Sequence, residues 1–361
     1  MKSLSRALLI LLLFSGLSQA QSTLAKYGND FLSVGAGARA LGMGSAYSAV
    51  DGDVTSAYWN VAGLAAVDTP EGIYMHSERF GGVVGYDYGA VALPLKQTDG
   101  VLSLSFFRQG VDNIANTLNA WDSERGTAGG PKADVENYIT KFSAADLAIF
   151  LSFAKNYSED LSMGASAKII NHRLGPFANA WGYSLDIGAR YETDLIDLSA
   201  SILDVTTMQK MWKVNEEEFE GFQETFGDSI PSGRNEFVLP SLRIGAAKAF
   251  SIDDFEILAA ADLYMLFENR RAYYVNIGAM SMEPHIGAEV TYKNRISFRT
   301  GLTDFMNDPE AGFMVSPTLG MGLRVSSFYL DYGFASFTGS TSNLGYTHRI
   351  SLRFDLLKQS K

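Results

Sequence analysis

The sequence predicts an all-β fold: a transmembrane antiparallel β-barrel of about 14 strands with an N-terminal hatch held inside it. Three observations predict it. Apolar and polar residues alternate with period two through most of the chain. The connections between alternating segments are sorted by length, short at one end and long at the other. After the first twenty residues no apolar run approaches the roughly 20 residues a spanning helix needs, and closed strands are the only other solution for backbone in lipid. Composition narrows the function: none of the 361 residues is cysteine, which removes disulfide scaffolds, thiolate metal sites and cysteine nucleophiles. A formal charge of −11 argues against nucleic acid as a partner.

Residues 1–20 read as a secretory signal peptide. Lys2 and Arg6 precede the apolar run Ala7 to Phe14, and Ser18-Gln19-Ala20 offers small residues at the positions a signal peptidase reads. Losing those two cations takes the formal charge from −11 to −13. Residues 21–70 form the next unit, rich in Gly and Ala and poor in strand character. Phe31, Gly35, Gly37, Arg39, Gly42 and Gly44 lie in its first half; Trp59, Asn60 and Gly63 follow in Tyr58-Trp59-Asn60-Val61-Ala62-Gly63-Leu64. Gly35-x-Gly37-x-x-Ala40 lacks the βαβ setting that would give it a dinucleotide meaning. Small residues instead suit a compact plug where backbone must pass close to barrel walls.

The barrel, residues 71–361, is read as strands near 72–79, 84–95, 100–109, 144–155, 161–173, 180–192, 195–204, 236–249, 255–264, 284–293, 295–303, 316–325, 328–335 and 345–356. The last is the clearest, with His348, Ile350, Leu352 and Phe354 on one face and Thr347, Arg349, Ser351 and Arg353 on the other. Connections after even-numbered strands are tight, such as those around Thr193-Asp194, Lys293-Asn294 and Ser326-Ser327. Those after odd-numbered strands are mostly long: 110–143, 205–235, 265–283, 304–315 and 336–344. Outer-membrane barrels have this arrangement, and an even strand count puts both termini in the periplasm of a Gram-negative-type bacterium. Phe106, Phe107, Phe328, Tyr329 and Tyr332 are expected in the interfacial aromatic belt.

Alternation assigns Lys168, Asp186, Arg190, Arg243, Asp262, Glu289, Arg295, Arg299, Arg324, Arg349 and Arg353 to the lumen, paired among themselves or recognising an anionic headgroup. The long loops supply the other candidates. Trp212, Phe219, Phe222 and Phe226 lie among acidic residues in 205–235, and Trp121 lies in 110–143. Interleaved aromatics exceed what solvation requires and suit partner binding. Four histidines without metal spacing, no Gly-x-Ser-x-Gly elbow and no phosphate loop leave no enzyme reading, no metal and no cofactor.

Phe31 to Gly44 with Tyr58 to Leu64 resembles the N-terminal signature of the PorV/PorQ family of outer-membrane proteins, and Thr347-His348-Arg349-Ile350-Ser351-Leu352 resembles that family's last strand. Val61 stands where the family usually has proline, and seven residues follow Phe354. The family is similar in fold to the FadL long-chain fatty-acid transporters, barrels of fourteen strands around an N-terminal hatch. The resemblance implies an accessory barrel of a type IX-like secretion system that binds secreted client proteins through its outer loops. The other function it implies is FadL-like passage of a small hydrophobic ligand. Outer-membrane lipid and lipopolysaccharide are the surrounding partners under either. In the transporters a kinked strand near the hatch opens the wall. Here Val101 to Gln109 in the third strand lacks Gly and Pro, while Pro240 and Pro317 are placed to kink the eighth and twelfth.

Overall fold

The computed structural model describes residues 22–25, 27–50, 52–122, 129–219, 233, 235–269, 271, 274–308, 312–336 and 345–356. Residues 1–20, read from sequence as a signal peptide, lie outside them. Eighteen strands join in one sheet. They are β1 (Ser22–Leu24), β2 (Glu71–Arg79), β3 (Val84–Leu95), β4 (Gly100–Asn116), β5 (Thr140–Asn156), β6 (Leu161–Leu174), β7 (Ala178–Tyr191), β8 (Asp197–Leu203) and β9 (Met208–Val214). The second half contains β10 (Asn235–Val238), β11 (Ser241–Ile252), β12 (Phe255–Leu266), β13 (Val275–Ile277), β14 (Met280–Tyr292), β15 (Ile296–Asp308), β16 (Gly312–Val325), β17 (Phe328–Ser336) and β18 (Tyr346–Asp355).

Successive strands pair antiparallel, and β18 pairs with β2 from His348↔Glu78 to Asp355↔Glu71. β8 and β9 both lie along β7 and make one stave; β10 and β11 make the next. With β1 and β13 outside the ring, this is a closed antiparallel barrel of fourteen staves. One phase of alternation holds around it. Leu104, Leu151, Ile169, Phe298, Leu319 and Ile350 face outward and exposed; Ser103, Ser152, Ser166, Arg190, Thr318 and Arg349 face inward and buried. An apolar outside around a polar inside is the pattern of a barrel made for lipid. No described helix is long and apolar enough to cross a membrane.

Strands run further than alternation shows. β4 and β5 extend to Asn116 and Thr140, and β15 and β16 pair out to Asp308↔Gly312 where the sequence predicts a loop over 304–315. The region read as loop 205–235 contributes β9 to the wall, and the strand read over 236–249 is divided into β10 and β11. Phe107 is fully buried and faces inward, not into a lipid belt, while its neighbour Phe106 faces out. Tyr329 likewise belongs to the interior, where the Arg353 guanidinium lies 3.8 Å from its ring centroid.

The segment before β2 is packed against the inner wall. It contains a 3-10 turn at Asp30–Val34, helices α1 (Ala38–Gly42) and α2 (Ser56–Trp59), and a second 3-10 turn at Val61–Ala66. Asn60 caps that second turn by accepting from Ala62 N at 3.1 Å, so it forms with valine at position 61. Phe31, Val54, Val61 and Leu64 share a buried cluster with Met75, Tyr88, Phe107, Phe150 and Ile170 of the strands. Small residues permit the fit. A Cβ on Gly42 would lie 2.9 Å from the Cα of Gly320, too close for any side chain. Gly44, at φ +62°, lies against the β14–β15 backbone at Ile286 and Leu302.

Candidate functional site in the barrel interior

The inward charges sort into local groups. Lys168 on β6 binds Asp186 at 3.0 Å and Asp204 at 2.8 Å, all three buried. This group staples the gap between β8 and β9, where Asp204 and Thr207 take positive φ and Asp204 N donates to Asp186 at 2.7 Å. Glu289 accepts from Arg39 at 2.6 and 2.9 Å and from Arg299, which also donates to Asp331 at 2.7 Å. Arg190 pairs with Glu192 and Asp197, and Arg353 with Glu71. Others hold backbone of the inner segment. Arg243 donates to Trp59 O at 2.9 Å, Arg349 donates to Val34 O and Gly37 O, and Asp262 accepts from the amides of Tyr47 and Ser48. Arg295 and Arg324 stand apart: Arg295 is exposed in the turn before β15 and Arg324 is half-buried beside Asn294, both at the short-turn mouth.

Among inner-segment groups, burial pushes the Asp53 carboxyl up, but the Arg353 and Arg39 guanidiniums and the Thr55 hydrogen bonds outweigh it and hold it below the ordinary value. Burial pushes the neighbouring Tyr47 hydroxyl far up, so it stays protonated and donates to Asp53 at 3.0 Å.

A second arrangement is aromatic. Trp212 on β9 stacks on His172 of β6 with centroids 5.8 Å apart, and His172 meets the edge of Phe31 at 5.5 Å. Phe31 reaches Phe107 at 6.2 Å, and Phe107 stacks on Tyr58 at 5.9 Å. Tyr58 touches Trp59 at 5.1 Å, and Trp59 touches Tyr47 at 6.0 Å. The rings thus form a continuous ladder from the long-loop end to Tyr47, beside Arg39. Arg39 itself lines an open pocket of about 190 Å³ at the short-turn end, with Arg295, Arg324 and Arg353.

Beside the ladder is a cavity of about 60 Å³ against Leu32, Tyr58, Phe150, Val238, Tyr264 and Leu266. It adjoins an irregularity in the wall. β11 pairs with β12 up to Ser241↔Leu266, but Pro240 has no N–H for the ladder, and β10 has no partner on the β12 side among the described residues. β1 fills that place, parallel to β10, with Leu24 opposite Phe237.

The loop candidates do not come together. Trp212 is a wall residue turned inward, and Phe219 packs on Phe177 with centroids 5.5 Å apart. Trp121 forms an isolated bridge with Pro131, and Phe222 and Phe226 lie outside the described residues. Of the N-terminal residues singled out from sequence, Phe31, Arg39, Trp59 and Asn60 all contact the wall or the ladder, and Trp59 Nε1 donates to Ala36 O at 2.8 Å. Tyr58, Phe107 and His172 were not assigned to a site by sequence. The inward phase shared by Phe107 on β4 and His172 on β6 is the signal that connects those two, and Tyr58, on α2, carries no such signal.

No family model and no curated protein matches the chain. Solved structures do. The CymD monoaromatic hydrocarbon channel aligns with TM-score 0.55 at 13% identity, covering 91% of this chain and 99% of that one. The toluene transporter TodX of Pseudomonas putida gives 0.53 at 12% identity, covering 88% and 96%. The toluene transporter TbuX of Ralstonia pickettii gives 0.51 at 12% identity, covering 89% and 98%. At such identities the likeness is one of fold.

Proposed function

We propose that the protein is an outer-membrane channel for small hydrophobic molecules, in which residues 21–70 serve as the hatch. The observation that carries this reading is the ring ladder from Trp212 to Tyr47, an apolar track through an otherwise charged interior. The shared fold with proteins described as hydrocarbon transporters and channels supports it. A one-ring hydrocarbon needs a cavity of roughly 150 Å³, so at about 60 Å³ the cavity beside Tyr58 is shut. Passage therefore requires the Asp30–Val34 turn, which carries Phe31 and Leu32, to withdraw. The wall beside that turn is the one sealed by β1 instead of a full stave, a place where a molecule can leave sideways once the seal shifts. The mouth with the short turns faces the periplasm under this reading, as do the C-terminal residues after β18.

An accessory role in type IX-like secretion through the outer loops has less to stand on, because Trp212 is turned inward and Phe219 packs on the β6–β7 hairpin. The test is uptake of radiolabelled p-xylene by a Gram-negative host expressing the chain. Uptake should rise severalfold over cells without it, and further when residues 24–44 are removed. No change in either comparison rejects the channel.

A further inference from the structure

His172 and Trp212 share one backbone neighbour. His172 on β6 and Trp212 on β9 are both register partners of Ala180 on β7, so the two rings close over that fully buried methyl from opposite sides. His172 is 6% exposed. Its Nδ1 lies 2.7 Å from Asp146 Oδ1, and its Nε2 is buried with no partner. Trp212 Nε1 is buried without a partner as well, although the ring is partly open to the long-loop mouth. Two unmet polar atoms thus belong to rings whose centroids are 5.8 Å apart at the outer end of the aromatic ladder, where a buried polar group without a partner is costly.

Their chemistry is complementary. Indole Nε1 only donates. The Asp146 carboxylate only accepts, so the uncharged tautomer of His172 that this contact selects carries its proton on Nδ1 and leaves Nε2 as an acceptor. One donor and one acceptor match a hydroxyl, which accepts from Trp212 and donates to His172. A carbonyl satisfies only the indole, a carboxylate meets a lone pair at His172, and a hydrocarbon satisfies neither. The geometry points to a first recognition site, at the outer end of the ladder, for hydrophobic molecules that carry a hydroxyl group. This inference rests on the channel reading and narrows its cargo.

The isosteric probes p-cresol and p-xylene test it, titrated against the full-length protein in lipid nanodiscs and referenced to empty nanodiscs. Two hydrogen bonds correspond to a preference of about tenfold or more for p-cresol. W212F and H172F should each bring that ratio to within about twofold. In the unsubstituted protein the ¹⁵N-indole resonance of Trp212, assigned by its loss in W212F, should move downfield with p-cresol and stay in place with p-xylene. Equal affinity for the two probes, or an indole resonance that ignores p-cresol, overturns the hydroxyl assignment while the channel stands. Failure of both probes to bind overturns the channel reading and the assignment with it.

Discussion

Arg349 shows what the inner segment costs and gains at single-residue scale. It is 1% exposed, its two terminal nitrogens donate to the carbonyls of Val34 and Gly37, and its Nε has no partner. Arginine keeps its charge in a protein interior, so those carbonyls are what hold it. Arg349→Met should leave both carbonyls unmet and loosen the segment by about 2 kcal/mol. Faster protease cleavage between residues 27 and 45, with the barrel intact, is the expected readout. Asp53 makes a pH-dependent contribution. Its carboxyl sits below the ordinary value when folded, so its stabilisation is complete above the unfolded pKa of about 3.9 and is lost as pH falls through the folded one. Hydrogen-exchange protection in residues 52–60, corrected for the intrinsic pH dependence of exchange, should stay flat from pH 8 to 5 and fall only below about pH 4. Neither contact was legible in sequence, because alternation says which way Arg349 points and nothing about which carbonyls it will meet.

Among elements, legibility followed the membrane. Strands were readable where one face must be apolar, as in β7 and β18, and faded where both faces meet water. β4 continues past its apolar band through Asp112, Asn113 and Asn116, which no period-two search would extend. β9 was hidden for another reason. In Met208–Val214 the inward face carries Met208, Lys210 and Trp212 and the outward face Gln209, Met211 and Lys213, so each face mixes apolar and polar residues and no alternation marks the strand. Pro240, by contrast, was visible as a break in the eighth strand and lies between β10 and β11. The edge of β10 that β1 covers gives a prediction at this scale. Removing residues 22–25 should raise hydrogen exchange at the amides of 235–238, which the hydrogen bond from Ala25 N to Phe237 O marks as paired. Unchanged protection would mean that β1 does not seal the wall.

For the whole molecule, the outside and the inside obey different rules. The wall is apolar where it meets lipid, and closure leaves, among the described residues, the end of β10 to be covered by β1. The charged groups described deep in the interior, such as Lys168, Glu289, Arg243 and Arg349, are tolerable because they are held by opposite charges or by the backbone of the inner segment. Planar-bilayer recordings should therefore find the full chain nearly silent. Deleting residues 24–44, which removes Phe31, Arg39 and the backbone that Arg349 holds, should open an ion-conducting path. A silent deletion variant that is still folded would show that something other than this segment closes the barrel. The architecture was open to sequence reading because lipid imposes it; the cargo was not, because a ladder of rings depends on contacts between residues as far apart as Phe31 and Trp212.

The parallel pairing of β1 with β10 also bears on how the chain assembles. Ser22–Leu24 meets Asn235–Phe237 across more than half the length of the protein, a contact of very high sequence separation that local structure cannot promote. Its docking edge exists only after β9 and β10 have formed their hairpin, and its place in the wall is bounded only after β11 and β12 have paired. The first strand in sequence is therefore among the last to be laid. An assembly intermediate with a finished ring and an unseated beginning follows from the topology, and in that species the interior would still be open at the β10 edge.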